Sequence, residues 1–491
     1  MPVCGLFRAT VGSFVPSFFV ERSLPEALAI VGITLGLMVV VGLLARRARA
    51  GTLLGLALIG AVVQGFVPYS YITWLLLYFL SISWTVFRRA SRADLRAWFW
   101  VTGAVLALQS ISLLWSPTFG AVVQAALTTY SVLVCYLLWR RTFREPGGFA
   151  RALLLGAPGA ALLAVMVIVF RLAPDIEAYY LNSPIARVLS EPGVEMIARG
   201  RYPNIIDPDK SGGLLLNGNI ASLLLLVMAA VYAFGAMAAN GRLYRIVFWC
   251  VSVSCFLGVF ATGSKTPLLL TLALPLLAVG LTFVVRRPIA GSLATIGLLG
   301  ASGGAAVAVF SAYPSLGASL VNTFGLRTAY WQLALEAFPS NWLLGLGFGG
   351  WEELLQANWV RLYGDIAFQG YPVHNFILQA WADGGILLSV SVVVAAAVPV
   401  LMAIRAIWRN RKEPLRSGIV VRDVLVFTAI SWPVLHALGD VTTYFGDTHT
   451  IVFYAGIVAL LHHGWVDPVE TVGSPQPSAH STLPAHSTGA E

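Results

Sequence analysis

The chain reads as an all-α polytopic integral membrane protein, with about 12–13 transmembrane helices and two long polar loops on one side, the second containing short helices. Three observations predict this. Hydrophobic residues make up 58% of the chain and charged residues 11%, too few to cover a soluble surface. The apolar runs match the ~20 residues that cross a bilayer. Cations also alternate from loop to loop, 21 of the 31 falling in every second connection, as expected if short cytoplasmic loops retain Lys and Arg. The net charge of +9 is therefore a topology signal and not a sign of nucleic-acid binding.

The apolar windows run, in order, over Leu24 to Ala45, Thr52 to Val67, Tyr69 to Phe87, Leu95 to Trp115, Phe119 to Trp139, Ala152 to Phe170, Leu214 to Ala238, Leu243 to Ala261, Thr266 to Val285, Ile289 to Phe310, Gly385 to Ile404, Val424 to Leu438 and Thr450 to His462. The second is short and ends at Pro68, so it is either a full crossing or a re-entrant, kinked element. Arg46, Arg89, Arg140, Arg144, Arg286 and Arg411 typify the basic connections. The other side holds ten cations against fifteen acids, and both long polar segments and the turn Gly263-Ser264-Lys265 fall there, outside the cytoplasm. The chain thus divides into an N-terminal interfacial segment (1–23), a first group of transmembrane helices (24–170), a first long outer loop (171–213), further transmembrane helices with the Lys265 turn (214–310), a second long outer loop (311–376), C-terminal transmembrane helices (377–465) and a disordered cytoplasmic tail (466–491).

Cys135, Cys250 and Cys255 lie within apolar windows and Cys4 has no evident partner, so no disulfide is expected. The tail is too poor in apolar residues to fold, which sets aside His480 and His486.

Chemistry is therefore sought in the second outer loop. Trp331, Ala334, Leu335 and Phe338 recur at helical spacing, which predicts a short helix beginning at or just before Arg327 and stopping at Pro339, with Arg327 at its positive end. Leu344-Gly345-Leu346-Gly347-Phe348-Gly349-Gly350 predicts a turn with positive φ and close backbone approach. A second helix over Trp351 to Leu362 gathers Trp351, Leu354, Leu355, Trp359 and Leu362 on one face, as for a helix lying in the membrane interface and partly covering a site. Tyr371-Pro372-Val373-His374-Asn375 then reaches the next span. Taken singly, Arg327 reads as a satisfied surface cation, Lys265 as a snorkelling anchor and His374 as a hydrogen-bonded interface residue. Thr262-Gly263-Ser264-Lys265-Thr266 lacks the glycine spacing of a phosphate-binding P-loop, so nucleotide hydrolysis is set aside.

In order, however, the segments form a set: Ala261-Thr262-Gly263-Ser264-Lys265-Thr266, Gly325-Leu326-Arg327-Thr328-Ala329-Tyr330-Trp331, Gly345-Leu346-Gly347-Phe348-Gly349, then His374-Asn375 with Asp383-Gly384-Gly385. This resembles the O-antigen ligase and polysaccharide polymerase superfamily of bacterial envelope glycosyltransferases, over roughly Leu214 to Leu388, with Asn217 and Asn219 resembling the family's asparagine-containing helix start. The resemblance implies a GT-C-like fold in the bacterial inner membrane with its active site facing the periplasm. The implied reaction is transfer of a glycan from a polyprenyl diphosphate donor to an acceptor, either a carrier-linked repeat or the lipid A core. No cofactor or metal is called for. Lys265 and Arg327 would clamp the donor diphosphate and His374 would act as base. A flippase and a chain-length regulator are the implied protein partners.

Lys265 departs from the arginine that many members carry there, and a lysine offers a point charge in place of a fork. The Ser264-Lys265-Thr266 form is closer to exopolysaccharide polymerases than to ligases, which favours polymerisation. Arg199, Arg201 and Lys210 would grip a growing glycan, or else belong to an ordinary solvated loop. Asn219, Asn375 and Asp440 are further candidates for glycan or acceptor contacts, and His436 and Asp440, four residues apart near the end of an apolar window, form a pair whose role the sequence leaves open. A small-anion transporter is the alternative from another class; it would place its charges inside broken helices.

Overall fold

A computed structural model describes residues 24–63, 72–190, 209–312, 314–364, 368, 370–415, 417–440 and 442–463. The N-terminal segment with Cys4, the residues Arg199 and Arg201, and the C-terminal tail lie outside the described residues.

Each apolar window holds a helix. The N-terminal half is built from α1 (Leu24–Ala45), α2 (Ala50–Gly60), α3 (Trp74–Arg88), α4 (Ala97–Ile111), α5 (Phe119–Arg144) and α6 (Gly148–Leu172). Two short helices, α7 (Pro174–Leu181) and α8 (Pro184–Leu189), belong to the first polar loop, and α9 (Gly218–Ala238), α10 (Arg242–Ala261), α11 (Lys265–Arg286) and α12 (Pro288–Ala312) follow. The second loop carries α13 (Pro314–Asn341) and α14 (Gly350–Tyr363), before α15 (Phe376–Arg409), α16 (Gly418–Ala437) and α17 (Ile451–His463). Eight of the described helices are long and apolar enough to cross a membrane, and shorter apolar helices occupy the other windows. Among the described residues no strand forms beyond an isolated bridge between Thr443 and Gly446. The fold is that of an all-α polytopic membrane protein.

α9 is the hub, buried almost all round and packed on α6, α10, α11, α16 and α17. Outward faces such as Leu257 on α10 and Leu269 and Leu272 on α11 remain exposed, as suits a lipid-facing surface. α2 has 11 residues, about 16 Å at ~1.5 Å per residue, roughly half the ~30 Å hydrocarbon core. It survives at that length because it is buried against α6: a methyl at Gly51 would lie 2.4 Å from the Gly148 carbonyl, and one at Gly156 2.7 Å from Leu58 Cβ. Small residues let the two backbones touch. Past its C-terminal end, buried His449 closes on the Ala61 carbonyl at 2.9 Å from Nδ1.

The basic connections gather at one end of the bundle. Arg144 pairs with Asp94 at 2.7 Å, Arg89 donates to the Arg46 carbonyl at 2.5 Å, and Arg286 donates to the Asn410 carbonyl at 3.5 Å. Both long polar loops emerge from the opposite end.

The helix expected to start at Arg327 starts instead at Pro314 and runs through Pro339 to Asn341. Pro314 occupies the first helical position, where a missing N–H costs nothing, and Pro339 sits in the last turn. Arg327 is therefore in mid-helix, and no helix terminus adds to its charge. α14 lies where expected, but its Trp351, Leu355 and Trp359 are buried against Tyr330, Leu333 and Val373 of the same loop, so that apolar face is spent on a small core of its own.

The glycine turn is a joint. Gly345, Gly347 and Gly349 have φ of 71°, 80° and 92°. Leu346 N–H donates to the Ala382 carbonyl at 2.7 Å and Ile386 N–H to the Trp342 carbonyl at 3.0 Å. The turn inserts where α15 breaks at Gly384 and Gly385. A methyl on Gly385, whose φ is 78°, would lie 1.9 Å from the Leu343 carbonyl. Gly385→Ala should therefore unseat the second loop, abolishing monodisperse protein in detergent or lowering its melting temperature by several degrees. Gly103→Ala, where a methyl meets open space, should not lower it, since Ala is the better helix former.

Candidate active site

α13, α15 and α16 bring three distant stretches together. Burial holds Arg327 on α13, and its Nη1 is 3.3 Å from where a methyl on Gly439 would stand. Just beyond Gly439, Asp440 sits at the centre of the group. Its Oδ1 is 3.9 Å from His374 Nδ1, its Oδ2 is 3.3 Å from His436 Nε2, and that same Oδ2 accepts from Asn219 Nδ2 at 2.9 Å. Asn219 in turn accepts from the Ser264 hydroxyl. A single polar chain thus runs from His374 through Asp440 and Asn219 to Ser264, the residue before Lys265.

His374 is held in an uncommon conformation, with φ of 56°. Its neighbours fix it. Trp351 Nε1 donates to the Tyr371 carbonyl at 2.8 Å, Trp331 Nε1 to the Val373 carbonyl at 3.1 Å, and Val373 N–H to Gln379 Oε1 at 3.1 Å. Asn375 caps α15 by accepting from Ile377 and Leu378 N–H, and donates to the Leu438 carbonyl at 3.2 Å. The imidazole stacks on Tyr330 at 5.9 Å and 19°. Tyr330 lies three residues after Arg327, so one face of α13 presents both the cation and the platform.

Burial is the main influence on His374 and pulls its pKa down to about 4; the Asp440 carboxylate pushes it up and the Arg327 guanidinium pushes it down. The ring is neutral at neutral pH and able to accept a proton. Burial also lowers Arg327, against the Asp440 carboxylate, which raises it; a guanidinium still keeps its charge. His436, wholly buried, stacks on Trp432 at 5.1 Å and 8° and places Nδ1 3.3 Å from the Thr442 hydroxyl. Those contacts make it a holder of Asp440 and not a group open to substrate.

Lys265 opens α11 and its side chain is exposed. The turn before it is set by Gly263, at φ of 67°, where a methyl would lie 2.0 Å from the Asp209 carbonyl. Ser211 N–H donates to the Thr262 carbonyl at 3.0 Å, which brings Lys210 beside the same turn. Of the residues singled out in the sequence, Arg327, His374, Asn375, Asn219 and Asp440 come together. Lys265 and Lys210 border Ser264, while Arg199 and Arg201 lie outside the described residues. Asn375 does helix-capping work. Ser264, Tyr330 and Gln379 were not singled out, although all three stand inside or beside the motifs. Among the described residues no three His, Cys, Asp or Glu side chains form a metal-binding group.

A polytopic helical bundle that gathers Arg327, His374 and Asp440 at its arginine-poor end has the arrangement of a membrane-embedded enzyme site. Residues 250–393 match the model of the family described as O-antigen ligase. The match bears out the superfamily resemblance and supports a glycosyltransferase-type enzyme acting on lipid-linked glycans. Lys265, Arg327 and His374 fall within the matched residues, whereas Asn219, His436 and Asp440 lie outside them. Comparison with curated proteins gives no match.

Proposed function

We propose that the chain is an inverting, metal-independent glycosyltransferase that moves a glycan from a polyprenyl diphosphate to an acceptor sugar at the periplasmic face of the bacterial inner membrane, as an exopolysaccharide or O-antigen polymerase. The carrying observation is the meeting of His374 with Asp440, 3.9 Å apart, beside the buried Arg327. The neutral imidazole takes the proton of the acceptor hydroxyl as that oxygen bonds to the anomeric carbon. The bond from that carbon to the donor phosphate breaks, and the lipid diphosphate leaves with both bonding electrons. Arg327 and Lys265 offset the charge that develops on it. Asp440, 3.9 Å from Nδ1, stabilises the imidazolium by its charge. One displacement inverts the anomeric carbon.

Purified protein given only a carrier-linked repeat should build a ladder of products. A single transfer onto lipid A core, with no ladder, would make it a ligase. Uptake of a small anion into proteoliposomes without any glycan donor would point instead to transport.

Lys265 supplies charge at an exposed position. Lys265→Arg should keep most activity, while Lys265→Ala should lower turnover about tenfold or more, as for loss of one electrostatic contact to the leaving group. Native turnover in the alanine variant would remove Lys265 from the clamp.

A further inference from the structure

Next to His374 the bundle contains a recess between α4, α5, the start of α15 and residues 442–445, with His374 and Asp440 in its lining. Its polar groups are not used up by the fold. Gln109 Oε1 and Thr129 Oγ1 are buried there without a hydrogen-bond partner among the described residues, and Thr129 is 1% exposed. Buried polar atoms are normally paired, so a cavity bordered by two that are not points to an occupant that pairs them.

The lining also bears on the chemistry of that occupant. Its described residues include no Lys or Arg, while Asp383 and Asp440 contribute carboxylates, so a diphosphate is disfavoured. Uncharged amides and hydroxyls (Gln109, Thr129, Thr442) share the lining with the rings of Phe376 and Tyr444. A sugar matches both halves. Its hydroxyls donate and accept, and the C–H face of the ring packs on aromatic surface.

We infer that this recess is the acceptor subsite, holding the terminal sugar of the acceptor with its attacking hydroxyl toward His374, apart from the cations that take the donor diphosphate. The assignment rests on the transferase reading above. It separates two substrates that carry the same sugars: the donor is recognised by its phosphates, the acceptor by its hydroxyls.

The test uses the full-length protein in detergent, with carrier-linked repeat extracted from producing cells as donor and a single repeat released by mild acid as soluble acceptor. Thr129→Val and Gln109→Leu should each raise the acceptor KM about tenfold, the scale of one lost neutral hydrogen bond. Donor KM should hold, Thr129→Ser should stay near native, and neither apolar variant should melt earlier, because each removes a group that the fold leaves unpaired. Unchanged acceptor KM in a protein whose turnover still requires His374 would overturn the subsite alone, leaving a recess filled by water. If His374→Ala turned over normally, the transferase reading would fail and the subsite with it.

Discussion

His374→Ala is expected to lower turnover by about 10²–10⁴-fold, the range that a positioned general base supplies, while the protein inserts and purifies normally. The ring is stacked on Tyr330 and lies beside Asp440, but its backbone is held independently by hydrogen bonds to the Tyr371 and Val373 carbonyls and from the Val373 N–H. Loss of the ring therefore need not collapse the loop. Alanine still occupies a left-handed backbone position, so His374→Asn, which tolerates positive φ, is the better control for strain; it should be as inactive as alanine and fold at least as well. The pH dependence gives a second reading. A base held down to about 4 by burial is protonated only below that value, so kcat/KM should stay flat from neutral pH to near 5 and fall through about 4. The anionic donor favours the imidazolium once bound, so the acid limb of kcat should lie higher than that of kcat/KM. Measured rates on purified protein decide it: an acid limb near 6.5 in both would mean that the imidazole is not in this buried setting when it reacts.

Much of the fold was legible because hydropathy is a direct physical demand of the bilayer. The windows over Phe119 to Trp139 and Leu214 to Ala238 return as helices near those bounds, and the arginine-rich connections share one end. The local chemistry of the outer loop was half legible. Glycine spacing showed that residues 345–349 need positive φ, yet nothing in the spacing says that the turn inserts at Gly385, forty residues on. The start of α13 at Pro314 lies well before the helical spacing of Trp331, Ala334, Leu335 and Phe338 that announced the helix. The C-terminal half of α13 is where Tyr330 and Leu333 pack against α14, so only that half carried a periodic apolar signal.

The site divides along the same line. Arg327 and His374 stand in ordered motifs, so their residue types announced them. Asp440 is not legible in that way: its meaning comes from Asn219, His436 and His374 converging on one carboxyl, which only the packing of α9, α15 and α16 produces. His436 and Asp440 looked like a pair at one-turn spacing, and the pair is real at 3.3 Å. What spacing did not reveal is that His436 faces Trp432 and supports, while His374 faces the recess.

Arg327→Ala is expected to be as damaging as loss of His374, and through two separable effects. The first is electrostatic. A preorganised donor to developing negative charge is worth about 10²–10³ in turnover, and a buried guanidinium is screened less by water than an exposed ammonium, so the loss should exceed that of Lys265→Ala. The second acts on the base. Arg327 pushes the His374 pKa down, so removing it leaves Asp440 to act on the imidazole with less opposition, and the acid limb of kcat/KM should rise above about 4. A residue that merely braced α13 would not move that limb. Arg327→Lys separates the two effects further: it restores a positive charge and should return the acid limb toward its native position, yet it lacks the planar fork that grips two phosphate oxygens, so turnover should recover only in part. Full turnover in Arg327→Ala, or an acid limb that stays put while turnover collapses, would each detach Arg327 from the chemistry assigned to it, the first from the donor phosphate and the second from the base.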